Sequence, residues 1–230
     1  MRDDRNYQDR RDRDNYWDSY FRSDYGSTMN RASYNLLIGG ILLWGFVINA
    51  LMVKYATPYI LGLNPIGLII GYFALSIIGM VVSAKSDSAI ISFIGYNMVV
   101  VPVGAVLSVA LIGASNVSIM NAVLVTGCAV AVMTLLGTIF PNFFMSMGRA
   151  LFIALTAVVT IELLGILFGW HMPSFWDWLI AVLFSGYIAY DWAEAQYRPC
   201  TADDAVDACV GLYLDIVNLF LRILSISDDD

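Results

Sequence analysis

Charge is what this sequence has least of. Lysine, arginine, aspartate and glutamate make up 13% of its 230 residues, about half the roughly 25% of a soluble domain. The little charge there is lies unevenly, since residues 1–31 hold seven of the twelve Lys/Arg and seven of the nineteen Asp/Glu. The remainder is too poor in charge to clothe a water-soluble surface, which excludes an ordinary soluble domain. Histidine occurs once and cysteine three times. That excludes a Cys/His metal cluster and a disulfide framework, and Cys128, Cys200 and Cys209 read as idle thiols. Basic residues are too few and scattered for the patch that nucleic acid requires. The net charge of −7 belongs to the loops and to the closing Asp228-Asp229-Asp230. A cleavable leader is missing as well. The first apolar run begins only near Ser33, with no small-residue cleavage site after it, so it reads as a retained span.

What the chain does have is apolar sequence, 59% of it. Residues 1–32 form a charged tail without apolar periodicity, expected to be disordered. Residues 33–230 carry seven apolar segments: Tyr34–Val53, Pro65–Ala84, Ser88–Ile112, Ile119–Phe140, Gly148–Gly169, Phe175–Gln196 and Ala205–Ile226. Each reaches the roughly 20 residues that cross a bilayer. The expected fold is an all-α membrane protein of seven transmembrane helices, with Pro102 kinking the third. Arg22, Arg31, Lys85, Arg149 and Arg198 fall on the tail side, against Lys54 and Arg222 on the other, which places the N-terminus in the cytosol. Arg222, near the end of its segment, is expected to snorkel to the interface. Gly39-Gly40 suggests close helix packing. Asn97 and Asn121 suit hydrogen bonds between helices, and Trp170, Trp176 and Trp178 an aromatic belt around the interfacial His171.

Acids inside the apolar segments point to function, because a membrane tolerates them only where they face protein or a water-filled cavity. In the last segment Asp207, Gly211, Asp215, Asn218 and Arg222 recur every three or four residues, which is one face of a helix. The sixth segment has a matching stripe of Tyr187, Asp191, Glu194 and Arg198. The last helix is therefore expected at the bundle centre, surrounded by the other six. Residue 203, in a polar run, is the midpoint of 191 and 215. A hairpin tip there puts both carboxylates twelve residues up opposite arms, at one depth. Two carboxyl groups at one level in a low-dielectric place cannot both ionise cheaply, and they are expected to share a proton. A structural reading, with each acid satisfied by a tyrosine hydroxyl or a backbone group, stands beside the functional one. Glu162, alone in its segment, is either part of a route toward the outer side or a neutral acid hydrogen-bonded to Asn or Thr.

Tyr190-Asp191-Trp192, with Leu212-Tyr213-Leu214-Asp215-Ile216-Val217-Asn218-Leu219-Phe220-Leu221, resembles the signature of the Bax-inhibitor family, the transmembrane Bax inhibitor motif proteins. Leu135-Leu136-Gly137-Thr138 and Ser146-Met147-Gly148-Arg149-Ala150-Leu151-Phe152 are similar to that family's fourth-to-fifth helix region. The closing acidic run looks like its bacterial members, and the likeness covers about residues 33–230. The resemblance implies a seven-helix fold with a central last helix and a proton-sensitive calcium leak. It implies that Asp191 and Asp215 form the pH sensor and gate. It also implies an arginine latch at the end of the second helix, where this chain has Lys85, a point donor without the bidentate fork of arginine.

On this reading calcium is the transported ion, held transiently by Asp191 and Asp215, and no cofactor is involved. Tyr187, Glu194, Asn218, Glu162, Gly211 and Asp207 are candidate pore-lining residues. The partners are the lipid bilayer, calcium and protons, and the setting is a bacterial plasma membrane. An enzyme is not expected. The intramembrane aspartyl proteases carry Gly-x-Gly-Asp around the second acid and a later Pro-Ala-Leu, and this chain has neither. The alternative function is regulatory, since some bacterial relatives are associated with a membrane-bound AAA protease that they modulate.

Overall fold

The computed structural model describes residues 28–228 apart from 171 and 174. Every regular element in it is a helix: α1 Arg31–Leu51, a π-helical segment Met52–Ala56, α2 Thr57–Ile60, α3 Pro65–Lys85, α4 Ala89–Ala110, α5 Asn116–Ile139, α6 Pro141–Ser146, α7 Gly148–Phe168, α8 Phe175–Tyr197 and α9 Ala202–Asp228. The N-terminal tail up to residue 27, His171, Asp229 and Asp230 lie outside the described residues.

Local chemistry sets the helix ends. The side chain of Asn30 accepts from the Ser33 N–H at 2.8 Å. Asn64 accepts from Ile66 and Gly67 ahead of Pro65, and Ser115 accepts from Ser118. Each satisfies donors that the first turn of a helix leaves free. Helix α7 ends on Gly169, whose φ of +66° is left-handed backbone that glycine adopts without strain.

Six helical stretches are long and apolar enough to cross a membrane: Arg31–Ile60, Pro65–Lys85, Ala89–Ala110, Asn116–Ile139, Gly148–Gly165 and Ala202–Asp228. The chain is thus a multi-pass membrane protein. The sequence suggests seven spans. Helix α8 has the length, 23 residues, but its Trp, Tyr and acidic residues keep it out of the apolar set.

Helix α9 is the core. It packs against α1, α3, α4, α5 and α8, and its buried residues run from Ala205 to Leu224. The expected ring of six is in fact five. Among the described residues the α7 backbone packs only on α6 and α8, so it stands outside the ring. The outer faces of the peripheral helices present Leu36, Ile70, Val117, Ile153 and Leu167, all more than 60% exposed, as lipid-facing surfaces do.

Apolar burial does little to hold helices together in lipid, where close backbone approach and interhelical hydrogen bonds take over. Helices α3 and α4 meet backbone to backbone: a Cβ on Gly79 would lie 2.5 Å from the Gly95 carbonyl oxygen, and one on Gly95 2.6 Å from that of Gly79. The Gly39-Gly40 pair expected in this role is exposed, with nothing within 4 Å of either added Cβ. Tyr96 donates to the Ile41 carbonyl at 3.1 Å, Trp44 donates to Asn97 at 3.1 Å, and Asn49 donates to the Tyr213 hydroxyl. These bonds fasten α1 to α4 and α9. Helix α4 runs through Pro102.

Candidate functional site

Asp191 and Asp215 come together, though by a different geometry from the one expected. The turn between α8 and α9 spans residues 198–201, so residue 203 lies inside α9 and is not its tip. Asp191 stands six residues before Tyr197, and Asp215 thirteen after Ala202. At about 1.5 Å per residue the two backbones are offset by roughly 10 Å in depth. The side chains close that gap. Every Cα–Cβ bond in a helix leans toward the helix N-terminus. Helix α8 runs toward the turn and α9 away from it, so the Asp191 side chain leans away from the turn and that of Asp215 leans toward it. The two carboxyl groups are thereby brought close to each other. Between their levels lies Gly211, where an added Cβ would collide with the Asp191 carboxylate. Only glycine lets the acid of α8 lie against the backbone of α9 at this point.

Asp215 is 7% exposed, and its Oδ2 has no hydrogen-bond partner among the described residues. Asp191 faces a cavity of about 400 Å³ between α3, α8 and α9, lined also by Ser83, Glu194, Arg198, Asp207 and Gly211. The cavity lies at the end of the bundle that carries the α8–α9 turn, here termed the N-face because α1 begins there. At this end three acids in the first turns of α9 are held by hydroxyl groups. Ser83 donates to Asp207, Ser92 donates to Asp203 at 2.6 Å, and Thr201 donates to Asp204 at 2.5 Å. The cation in the cavity is Arg198, paired with Glu194 at 2.8 Å. Lys85 is absent from the lining, and among the described residues it forms no ion pair. Chemically, a buried carboxyl pair with an unfilled oxygen, next to a polar cavity, can hold a proton or offer oxygens to a cation.

A family model described as inhibitor of apoptosis-promoting Bax1 matches residues 27–228. The chain belongs to the Bax inhibitor family. Protein LIFEGUARD 3 of Arabidopsis thaliana is 39% identical over 82 residues, 35% of this chain and 33% of the relative. Bax inhibitor 1 of Saccharomyces cerevisiae is 40% identical over 81 residues, 32% of this chain and 27% of the relative. A bacterial relative, an uncharacterized protein of Helicobacter pylori strain 26695, is 41% identical over 87 residues and 35% of each chain. The chain thus spans about a third of the length of these relatives.

The other acids and polar residues of this Bax inhibitor family member sort by position. Tyr187, one turn before Asp191 on α8, is half-buried and near both Asp191 and Asp215. Asn218 donates to the Leu214 carbonyl of its own helix at 2.8 Å. Glu162 and Arg222 depart from expectation. Arg222 donates to acids on two other helices, and the partner of Glu162 is this arginine rather than Asn or Thr. The two form an ion pair at 2.5 Å at the distal end of the bundle, and Arg222 pairs also with Asp177 at 2.9 Å. Sequence reasoning passed over Ser83, Ser92 and Asn49. A signal for the first was available: Ser76, Gly79 and Ser83 recur every three or four residues and are all buried on α3, a stripe of small residues of the kind that marks a helix contact.

Proposed function

We propose that this protein is a pH-sensitive calcium leak channel gated by the Asp191–Asp215 pair. The observation that carries this reading is the Oδ2 of buried Asp215, which has no partner among the described residues, one turn from the Gly211 backbone on which the carboxylate of cavity-lining Asp191 lies. A buried carboxyl oxygen without a donor costs on the order of 1–3 kcal/mol, a cost that a shared proton removes. With the proton in place, α8 and α9 are held together. Once it leaves, two charges about 4 Å apart repel by ~4 kcal/mol at an effective dielectric near 20, and the helices part.

Calcium is the cargo. It takes 6–8 oxygens, and two carboxylates offer at most four. The pair therefore suits brief transit, with Tyr187, Asn218 and water completing the shell, and Asp207, Gly211 and Glu194 lining the approach. Arg198, already within the cavity, is better placed than Lys85 to latch the pair. The N-face is cytosolic on this reading, with Arg31, Lys85, Arg149 and Arg198 gathered there, and the membrane is a bacterial plasma membrane. The activity is transport and not catalysis.

The test is calcium flux into liposomes holding the purified protein, between about pH 5 and 8, for wild type, Asp191→Asn and Asp215→Asn. The expected result is a pH-dependent flux that loses its pH dependence in both variants. Flux whose pH dependence survives both changes removes the pair as sensor. Flux no greater than that of empty liposomes removes the channel, and leaves modulation of a membrane-bound protease as the reading to pursue.

A further inference from the structure

The distal end of the polar stripe on α9 is occupied by a cation of the protein's own. Two turns beyond Asp215, Arg222 reaches between two acids on two other helices. Its Nη2 donates to Glu162 Oε1 of α7 at 2.5 Å, and its Nη1 donates to Asp177 Oδ1 of α8 at 2.9 Å. Ser225, three residues further on, donates to Asp177 Oδ2 at 3.0 Å. All three charged side chains are at least two-thirds buried. Since among the described residues the α7 backbone does not pack on α9, the Glu162–Arg222 pair bridges a gap that backbone packing leaves open.

We propose that Arg222 is a tethered cation that stoppers the distal end of the polar stripe, and that a passing cation must displace it from Glu162 and Asp177. The guanidinium fork fixes two carboxylates at once, and it fills the place that a mobile divalent ion would otherwise take between them. Followed from the N-face, the stripe on α9 reads Asp207, Gly211, Asp215, Asn218 and then Arg222. Negative groups come first, and the positive one lies at the far end. This inference rests on the channel reading for its path, but its cation site does not depend on flux.

Charge logic separates a stopper from a simple staple. Arg222→Gln removes the plug and leaves two free carboxylates, so calcium flux should rise several-fold at fixed pH. The double variant Glu162→Gln/Asp177→Asn leaves an unpaired positive charge in the same place, so flux should fall below wild type. Arg222→Lys keeps one cation there and should stay near wild type, which controls for folding. A staple predicts that the first two variants move together, and that outcome overturns the proposal, as does unchanged flux in Arg222→Gln. A second readout needs no transport. Terbium luminescence excited through Trp176 and Trp178, which flank Asp177, should appear in Arg222→Gln and vanish when Glu162→Gln and Asp177→Asn are added. Terbium signal with no flux from any variant, wild type included, would sink the channel and keep the cation site. Absence of that signal in folded Arg222→Gln overturns the site.

Discussion

The two ends of α9 treat their acids in opposite ways. At the N-face, Asp203, Asp204 and Asp207 are held by the hydroxyls of Ser92, Thr201 and Ser83, and Asp215 keeps an oxygen with no partner among the described residues. At the distal end Glu162 and Asp177 are held by one arginine. A hydroxyl satisfies a carboxylate without cancelling its charge, and at that end only Glu194, among the described residues, is paired with a cation, Arg198. A guanidinium neutralises what it binds at every physiological pH. One end thus holds the acids of α9 by neutral donors, and the other holds its acids by a cation.

The largest effect in breaking this contrast should come from Gly211→Leu. Its side chain cannot share space with the Asp191 carboxylate, so the acid must swing away from its place against α9 or carry α8 with it. We expect a loss of about 3 kcal/mol, as in overpacked cores, read as a lowered unfolding temperature in detergent. Ser83→Ala should come next. It removes a hydroxyl from Asp207 and costs about 1–2 kcal/mol, where Ser83→Thr, which keeps the donor, should cost less. At the distal end Glu162→Gln keeps a hydrogen bond to Arg222 while losing the charge. In a partly exposed pair this should cost about 1 kcal/mol or less, checked by the same unfolding measurement. The smallest effect belongs to Lys85→Gln. Lys85 forms no ion pair among the described residues, so stability should change by no more than about 0.5 kcal/mol and the pH profile of flux should hold. Arg198→Gln, inside the cavity, should shift that profile. A shift from Lys85→Gln instead would put the latch back where the family resemblance implies it.

Much of this arrangement was legible in the residues. The three-and-four spacing of Asp207, Gly211, Asp215, Asn218 and Arg222 placed them on one face of α9, and their polarity placed that face inside. The likeness around Asp191 and Asp215 agreed with the family that the chain proves to belong to. Residue spacing alone does not give the depth of the two acids, because it measures backbone climb, and the carboxyl groups are carried by side chains that lean toward one another. Glu162 and Arg222 were read singly, each as a residue in search of a solution. They solve each other, and 60 residues separate them. No local pattern encodes a contact of that range.

The sequence alone determined that the chain crosses a membrane several times, that its last helix lies inside, and that two acids in apolar surroundings need an explanation. These follow from composition and from helical period, properties that each segment carries by itself. Only the tertiary structure decided which polar groups meet: hydroxyls with acids at the N-face, an arginine with two acids at the distal end, and α7 outside the ring. The reason is physical. In lipid, apolar surfaces do not choose among partners, so helix placement is settled by a few close glycine contacts and directional hydrogen bonds, and those exist only once the helices are side by side.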